Sequence, residues 1–253
     1  MRPIQSALLL GFALLAAVPA HAARGLNLTW SRCHGEGVGT QNRTFACDTN
    51  AGSEVLVGSF VLDQPLAQVS GNEAIIHLIS QDDPLPAWWD MKNAGTCRQT
   101  SLAINTTEDP SDVVCADWAR GNSVGGIGSY SINPPFTSID PSLTSRCRVL
   151  QIALAVAPSD LQDLQPDIEY FSFNVVIDHA KTVGTGACGG CSSAVCLVFN
   201  SIKVTTPVLE NNIYFFGGTT PGSDMAHWQG TGADCALVPV KSKTWGEVKA
   251  MYR

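Results

Sequence analysis

The chain has 253 residues, with 15 basic and 22 acidic side chains and a formal net charge of −7 at pH 7. Charged residues are 15% of the total, and the few basic ones are scattered. That distribution speaks against nucleic acid and anionic membrane surfaces as partners, because both require a basic patch.

Met1 and Arg2 form a short positive start, and residues 6–18 are almost entirely apolar. Ala20-His21-Ala22 follows, a small-x-small triplet of the kind signal peptidase cuts. The pattern predicts a secretory signal over residues 1–22, too short to span a bilayer. Its Ala-rich character is bacterial in type, and no Cys stands at the cut to carry a lipid. Later runs fall short of the roughly 18–20 apolar residues a membrane helix needs, so membrane insertion is not expected. Removing Arg2 with the signal leaves 14 basic against 22 acidic residues, a charge of −8. The expected location is secreted or extracytoplasmic, in the periplasm or at the cell surface. The remaining length suffices for a sizeable core, so cystines would add to that core and not replace it.

All 9 cysteines lie beyond residue 22. Export favours their oxidation. Cys33 and Cys47 flank a polar, Gly-rich stretch, and Cys97 and Cys115 flank a strand and turn; each couple is expected to pair locally. A disulfide closing a loop near 15 residues is worth about 3 kcal/mol in the chain-entropy model. Cys188, Cys191, Cys196 and Cys235 are expected to form two further disulfides in any of three connectivities. Two alternatives use the same residues. Four thiolates with one C-x-x-C resemble half of a zinc ribbon, although Cys196 and Cys235 do not supply the other half. A redox-active Cys188/Cys191 pair would need a helix N-terminus to lower the thiol pKa, and this pair lies in a Gly/Ser loop. Cys147 is the odd one out, a buried inert thiol or a link to another chain.

The segment Asp48-Thr49-Asn50-Ala51-Gly52-Ser53-Glu54 spaces oxygen ligands at alternate positions, as calcium loops do. Asp48, Asn50 and Glu54 are therefore the metal candidates, set against a plain turn. No other cofactor is expected. Period-two alternation marks strands at Val55–Leu62, Ala74–Ser80, Arg148–Val156, Glu169–Asp178 and Leu197–Thr205. In the fourth of these, Phe171, Phe173, Val175 and Ile177 are assigned to one face. Trp88 and Trp89, after Pro84 and Pro86, could present a stacking platform to a sugar ring, or pack in a core. Trp118 and Trp228 admit the same two readings.

His34, His77, His179 and His227 form no close metal pairing in sequence, and no G-x-S-x-G elbow occurs. Asp178 and His179 are neighbours on a strand, so they point to opposite faces. The runs at 121–129 and 184–191 are not phosphate loops, since neither ends in Gly-Lys-Ser/Thr. Asn27, Asn42 and Asn105 begin formal glycosylation sequons, relevant only in a eukaryotic host. Thr244-Trp245-Gly246-Glu247 matches a capping box, and Trp245, Val248 and Tyr252 then share one face of a short terminal helix.

Several strings, LNLTW, LPAWWDMKNAGTCRQTSLAIN, AKTVGTGACGGCSSAVC, HWQGTGADC and TWGEVKAMYR, resemble a group of uncharacterised secreted bacterial proteins. The resemblance spans nearly the whole exported chain. It implies export and a single domain, and transfers no functional residue.

Together these features predict an all-β fold: an antiparallel β-sandwich of jelly-roll or Greek-key type at 23–206, with an extension at 207–253 that packs on it and ends in a short helix. The expected role is a non-catalytic extracellular or surface module that binds or builds. The alternatives are a carbohydrate-binding module, a secreted hydrolase with a distributed active site, and a self-assembling surface subunit. Carbohydrate or another surface protein is the expected partner.

Overall fold

A computed structural model describes residues 25–36, 39–107, 115–131, 143–217 and 223–235. The predicted signal at 1–22 and terminal helix at 244–253 lie outside the described residues. The strands are β1 (Gly25–Trp30), β2 (Asn42–Arg43), β3 (Ser53–Val61), β4 (Leu66–Val69), β5 (Gly71–Ser80), β6 (Leu102–Asn105), β7 (Ala116–Asp117), β8 (Val124–Ser131), β9 (Cys147–Ala155), β10 (Gln162–Leu164), β11 (Glu169–Asp178), β12 (Val195–Thr205), β13 (Ile213–Phe216) and β14 (Met225–Trp228). Helical structure among the described residues is limited to short 3-10 turns.

Two sheets carry most of these strands. One runs β1-β3-β11-β6, with β7 lying parallel to β11. The other runs β2-β14-β12-β5-β9-β8, with β13 also on β12. The pairings between long strands are antiparallel. A small β4/β10 ribbon stands apart.

Alternation in sequence becomes alternation between clusters on the two faces of a sheet. From the first sheet, Leu28, Leu56, Phe60, Phe173 and Val175 enter one hydrophobic cluster. From the second, Ile76, Leu78, Ile152, Leu154, Leu197, Phe199 and Trp228 enter the same cluster. Both sheets thus bury one face in a common core, where each large apolar side chain contributes about 1.5–3 kcal/mol. Gly58 is part of that fit: a Cβ there would lie 2.2 Å from the Phe173 ring, so only glycine lets the ring cross β3.

Two expectations are corrected. The register of β11 shifts between Phe171 and Phe173, so Ser172 is an extra residue and Phe171 turns to the opposite face. Tyr170 joins the main core in its place, and Phe171 packs with Cys33, Val57 and Cys115. The residues after 206 also do more than pack on the sheets. β13 and β14 are hydrogen-bonded strands of the second sheet, and Trp228 is fully buried.

The outer face of the second sheet is apolar at one end, where Ile79, Cys147, Val149, Cys196 and Val198 form a second cluster. His77 sits in this row between Val149 and Val198. It is 3% exposed, and its Nε2 has no hydrogen-bond partner. Burial lowers its pKa from 6.5 to about 4, because the charged form would lose its hydration. Between these values the unfolded chain binds a proton that the native one refuses. Stability contributed by neutral His77 is therefore whole above pH 6.5 and is lost as pH falls toward 4. We expect His77→Leu to remove roughly 2–3 kcal/mol of the stability lost between pH 7 and pH 4.5, read from urea midpoints. An unchanged pH dependence would contradict the assignment.

Candidate functional site: four cystines, an aromatic cluster and a Cys–His group

The cystines join Cys33 to Cys115, Cys47 to Cys191, Cys97 to Cys188 and Cys196 to Cys235. Neither expected local pair forms. The stretch after Cys33 includes β2, which aligns with β14 and carries Cys47 toward Cys191. Cys97 and Cys115 stand near opposite ends of β11. Leu102 pairs with Ile177 while Ala116 pairs with Tyr170, a span of roughly 20 Å at about 3.3 Å per residue. Among the last four cysteines, only Cys196 and Cys235 pair with each other.

Cys147 is the free cysteine, and it is 1% exposed on β9. Burial pushes its thiol up to about 12, so the thiolate is scarce at neutral pH. It is itself part of the second cluster, which agrees with the buried-thiol reading.

Trp88 and Trp89 occupy a 3-10 turn and are 0% exposed. They pack on Trp228, with ring centroids at 4.9 and 5.2 Å. Phe45 stacks on the same indole at 4.2 Å, and Trp30 meets it edge-on at 5.9 Å. Neither Trp88 nor Trp89 offers a face to a sugar, so of the two sequence readings core packing holds and the stacking platform is withdrawn. Trp118 and Trp228 are buried as well, at 3% and 0%. The indole N–H of Trp228 donates to Cys191 O at 2.7 Å, that of Trp88 to Thr182 Oγ1 at 3.0 Å and that of Trp30 to His227 O at 3.0 Å.

Arg98, 1% exposed, closes this cluster. Its guanidinium lies 3.5 Å from the Trp88 ring centroid. It donates to Trp88 O at 2.9 Å, to Ala180 O at 3.0 Å and to Asp178 O, and lies 3.6 Å from the Asp178 carboxylate. Burial draws its pKa down to about 10, with Asp178 opposing, so it stays cationic at neutral pH. Tyr130 donates its hydroxyl to Trp89 O at 2.6 Å, and burial raises its pKa.

Two of the expected calcium ligands have protein partners. Asp48 and Asn50 are exposed, and the Asn50 carbonyl accepts from the amides of Thr182 and Val183 at 2.8 and 2.9 Å. Glu54 Oε1 lies 3.1 Å from His179 Nε2. The Asn50 side chain thus caps the 179–183 turn, and Glu54 orients a buried histidine. This couple was missed in sequence because its members are 125 positions apart. No serine hydroxyl bonds a histidine ring among the described residues; His179 meets Glu54 and His227 meets Cys235.

One group of metal-binding side chains does converge. Cys196, His227 and Cys235 place their ligand atoms within 4.8 Å of one another, and no other such trio occurs among the described residues. Cys196 and His227 are partners across the β12–β14 ladder, and Cys235 Sγ lies 3.0 Å from His227 Nε2. Partial burial holds the His227 imidazole below its usual pKa. His227 could have been found by placing the HWQ segment on a strand beside Cys196, which needs the pairing and not the sequence.

Comparison with protein-family models, with curated proteins and with solved structures returns no match for this chain. What can be said of function therefore rests on the residues themselves.

We expect Trp228→Ala to cost about 3–5 kcal/mol, as aromatic core truncations do, and to expose Trp88 and Trp89 to fluorescence quenchers. A loss under 1 kcal/mol, measured by denaturant unfolding, would show that the cluster does not hold the sheets.

Proposed function

We propose that this chain is an exported β-sandwich of jelly-roll or Greek-key kind that serves as a non-catalytic structural or binding module outside the cytoplasm. The observation that carries the reading is the covalent net. Three of its cystines join positions 82, 144 and 91 residues apart, and the fourth joins positions 39 apart. Such a net is compatible with an oxidising, extracytoplasmic compartment and with a protein selected to persist there. The groups with chemical potential support the same reading. Arg98, Tyr130 and three of the tryptophans (Trp30, Trp88, Trp228) spend their polar atoms on the scaffold. None of the described helices is long and apolar enough to cross a membrane. With the tryptophan platform withdrawn, the partner favoured is another surface protein.

A second reading, a self-assembling subunit, is supported by β8. It is the last strand of its sheet, and Val124 at its start is 70% exposed. An unpaired edge is a template for another strand. Asn93 Nδ2 donates to Tyr130 O near one end of this strand, and Thr106 Oγ1 donates to Ser123 O just before the other, which leaves Val124 exposed between them.

One experiment addresses both. The whole chain is expressed in a bacterium, fractionated, and its N-terminus, cystines and native mass are measured across concentration. The module reading predicts a chain beginning at Ala23, found outside the cytoplasm, with four cystines and a constant mass. A chain retaining residues 1–22 and reduced in the cytoplasm would contradict it. A mass that rises with concentration, and is returned to one chain by Val124→Lys, would select the subunit.

A further inference from the structure

Cys196 and His227 are fixed opposite each other by strand pairing, so their relative placement is set by the ladder and not by a loop. The His227 backbone is pinned on both sides. Its N–H donates to Gln41 O at 2.6 Å, and its carbonyl accepts from the Trp30 indole at 3.0 Å. Cys235 arrives from the segment after β14 and completes a set of two sulfurs and one nitrogen.

We propose that opening the Cys196–Cys235 disulfide uncovers a zinc site formed by Cys196 Sγ, Cys235 Sγ and His227 Nε2, with a water in the fourth position. The site is independent of the export reading. Two thiolates and an imidazole are a borderline-soft donor set that suits zinc and not calcium or magnesium. A tetrahedral zinc, with Zn–S about 2.3 Å and Zn–N about 2.0–2.1 Å, needs donor atoms roughly 3.5–3.8 Å apart. The three atoms already lie within 4.8 Å, so separating the two sulfurs by side-chain rotation suffices. Ile79, Ala194 and Ala233 wall the sulfurs on the apolar side. His227 and Cys235 are only partly buried, which leaves an entry path for the ion and room for the water.

The steps balance. A dithiol reductant gives two electrons and two protons to the disulfide and leaves as its own cyclic disulfide. Cys196 and Cys235, now thiols, release their two protons to solvent as Zn²⁺ binds. In the oxidised protein a cystine sulfur can only accept, so His227 Nε2 carries the hydrogen in its contact with Cys235. On metal binding that hydrogen moves to Nδ1, and the Nε2 lone pair becomes the ligand. The zinc half-ribbon suggested by the sequence is reassigned by this arrangement. Cys188 and Cys191 leave the set for Cys97 and Cys47, and His227 joins it.

The test is native mass spectrometry of the whole protein treated with limiting dithiothreitol and then zinc, with alkylation and peptide mapping to identify the opened pair. Molecules open only at Cys196–Cys235 should carry one zinc, and His227→Ala should weaken binding at least tenfold. Opened molecules without zinc, equal binding by His227→Ala, or zinc that follows the opening of Cys97–Cys188 or Cys47–Cys191 would each overturn the proposal. A second variant needs no reductant. Cys235→His cannot form the disulfide but keeps a ligand at that position, so it should bind zinc with the other three cystines intact. A folded Cys235→His protein that takes no zinc would also overturn the assignment.

Discussion

A spacer of two glycines holds the two longest-range covalent links side by side. Cys188 reaches Cys97 and Cys191 reaches Cys47, so one short loop ties together two segments that are distant in sequence. The loop must lie flat against its neighbours to do so. Gly190 has φ +109°, and a Cβ there would fall 2.1 Å from Pro86. Gly189 O accepts from Trp88 N–H at 2.9 Å, and Cys191 O accepts from the Trp228 indole. The covalent clamp and the aromatic cluster are thus one assembly. In the chain-entropy model each of these long loops is worth on the order of 4–5 kcal/mol, though the two are nested and their contributions do not simply add.

Around this clamp the chain's reactive groups have been turned inward. The Arg98 guanidinium satisfies three carbonyls and covers the Trp88 face. Removing it would leave those acceptors buried and unpaired, which costs more than the bonds themselves contribute. Glu169 plays a similar part beside Cys33, accepting from the amides of His34 and Gly35 at 3.0 and 2.7 Å and from Ser59. The Cys196, His227 and Cys235 group differs from these in that its donor atoms face one another.

The β class and the strand faces were legible in the sequence because period-two alternation is local. Arg148 to Val156 and Val55 to Leu62 distribute their side chains between the two faces as their alternation implies, with Leu150, Ile152 and Leu154 on the main core and Cys147 and Val149 on the outer cluster. The face of Phe171 was not legible, because a bulge at Ser172 inverts the alternation without any Gly or Pro to announce it. Cystine partners were not legible either. They depend on which strands become neighbours, and β2 beside β14 or β7 beside β11 are pairings between residues far apart in the chain. The same non-locality hid His227 from the Cys196 and Cys235 pair. The tryptophans were ambiguous for a different reason: an indole suits a core and a sugar platform equally, and only burial decides.

The most direct test of this account is the cystine connectivity, mapped by proteolysis of the unreduced protein under conditions that block exchange. The account predicts that a Cys188–Cys191 fragment cut between its glycines releases two separate cross-linked peptides, one carrying Cys97 and the other Cys47, while Cys147 is recovered alone. A Cys33–Cys47 or Cys97–Cys115 peptide, or a Cys188–Cys191 bridge within one fragment, would contradict it and dissolve the clamp on which the rest of the fold depends.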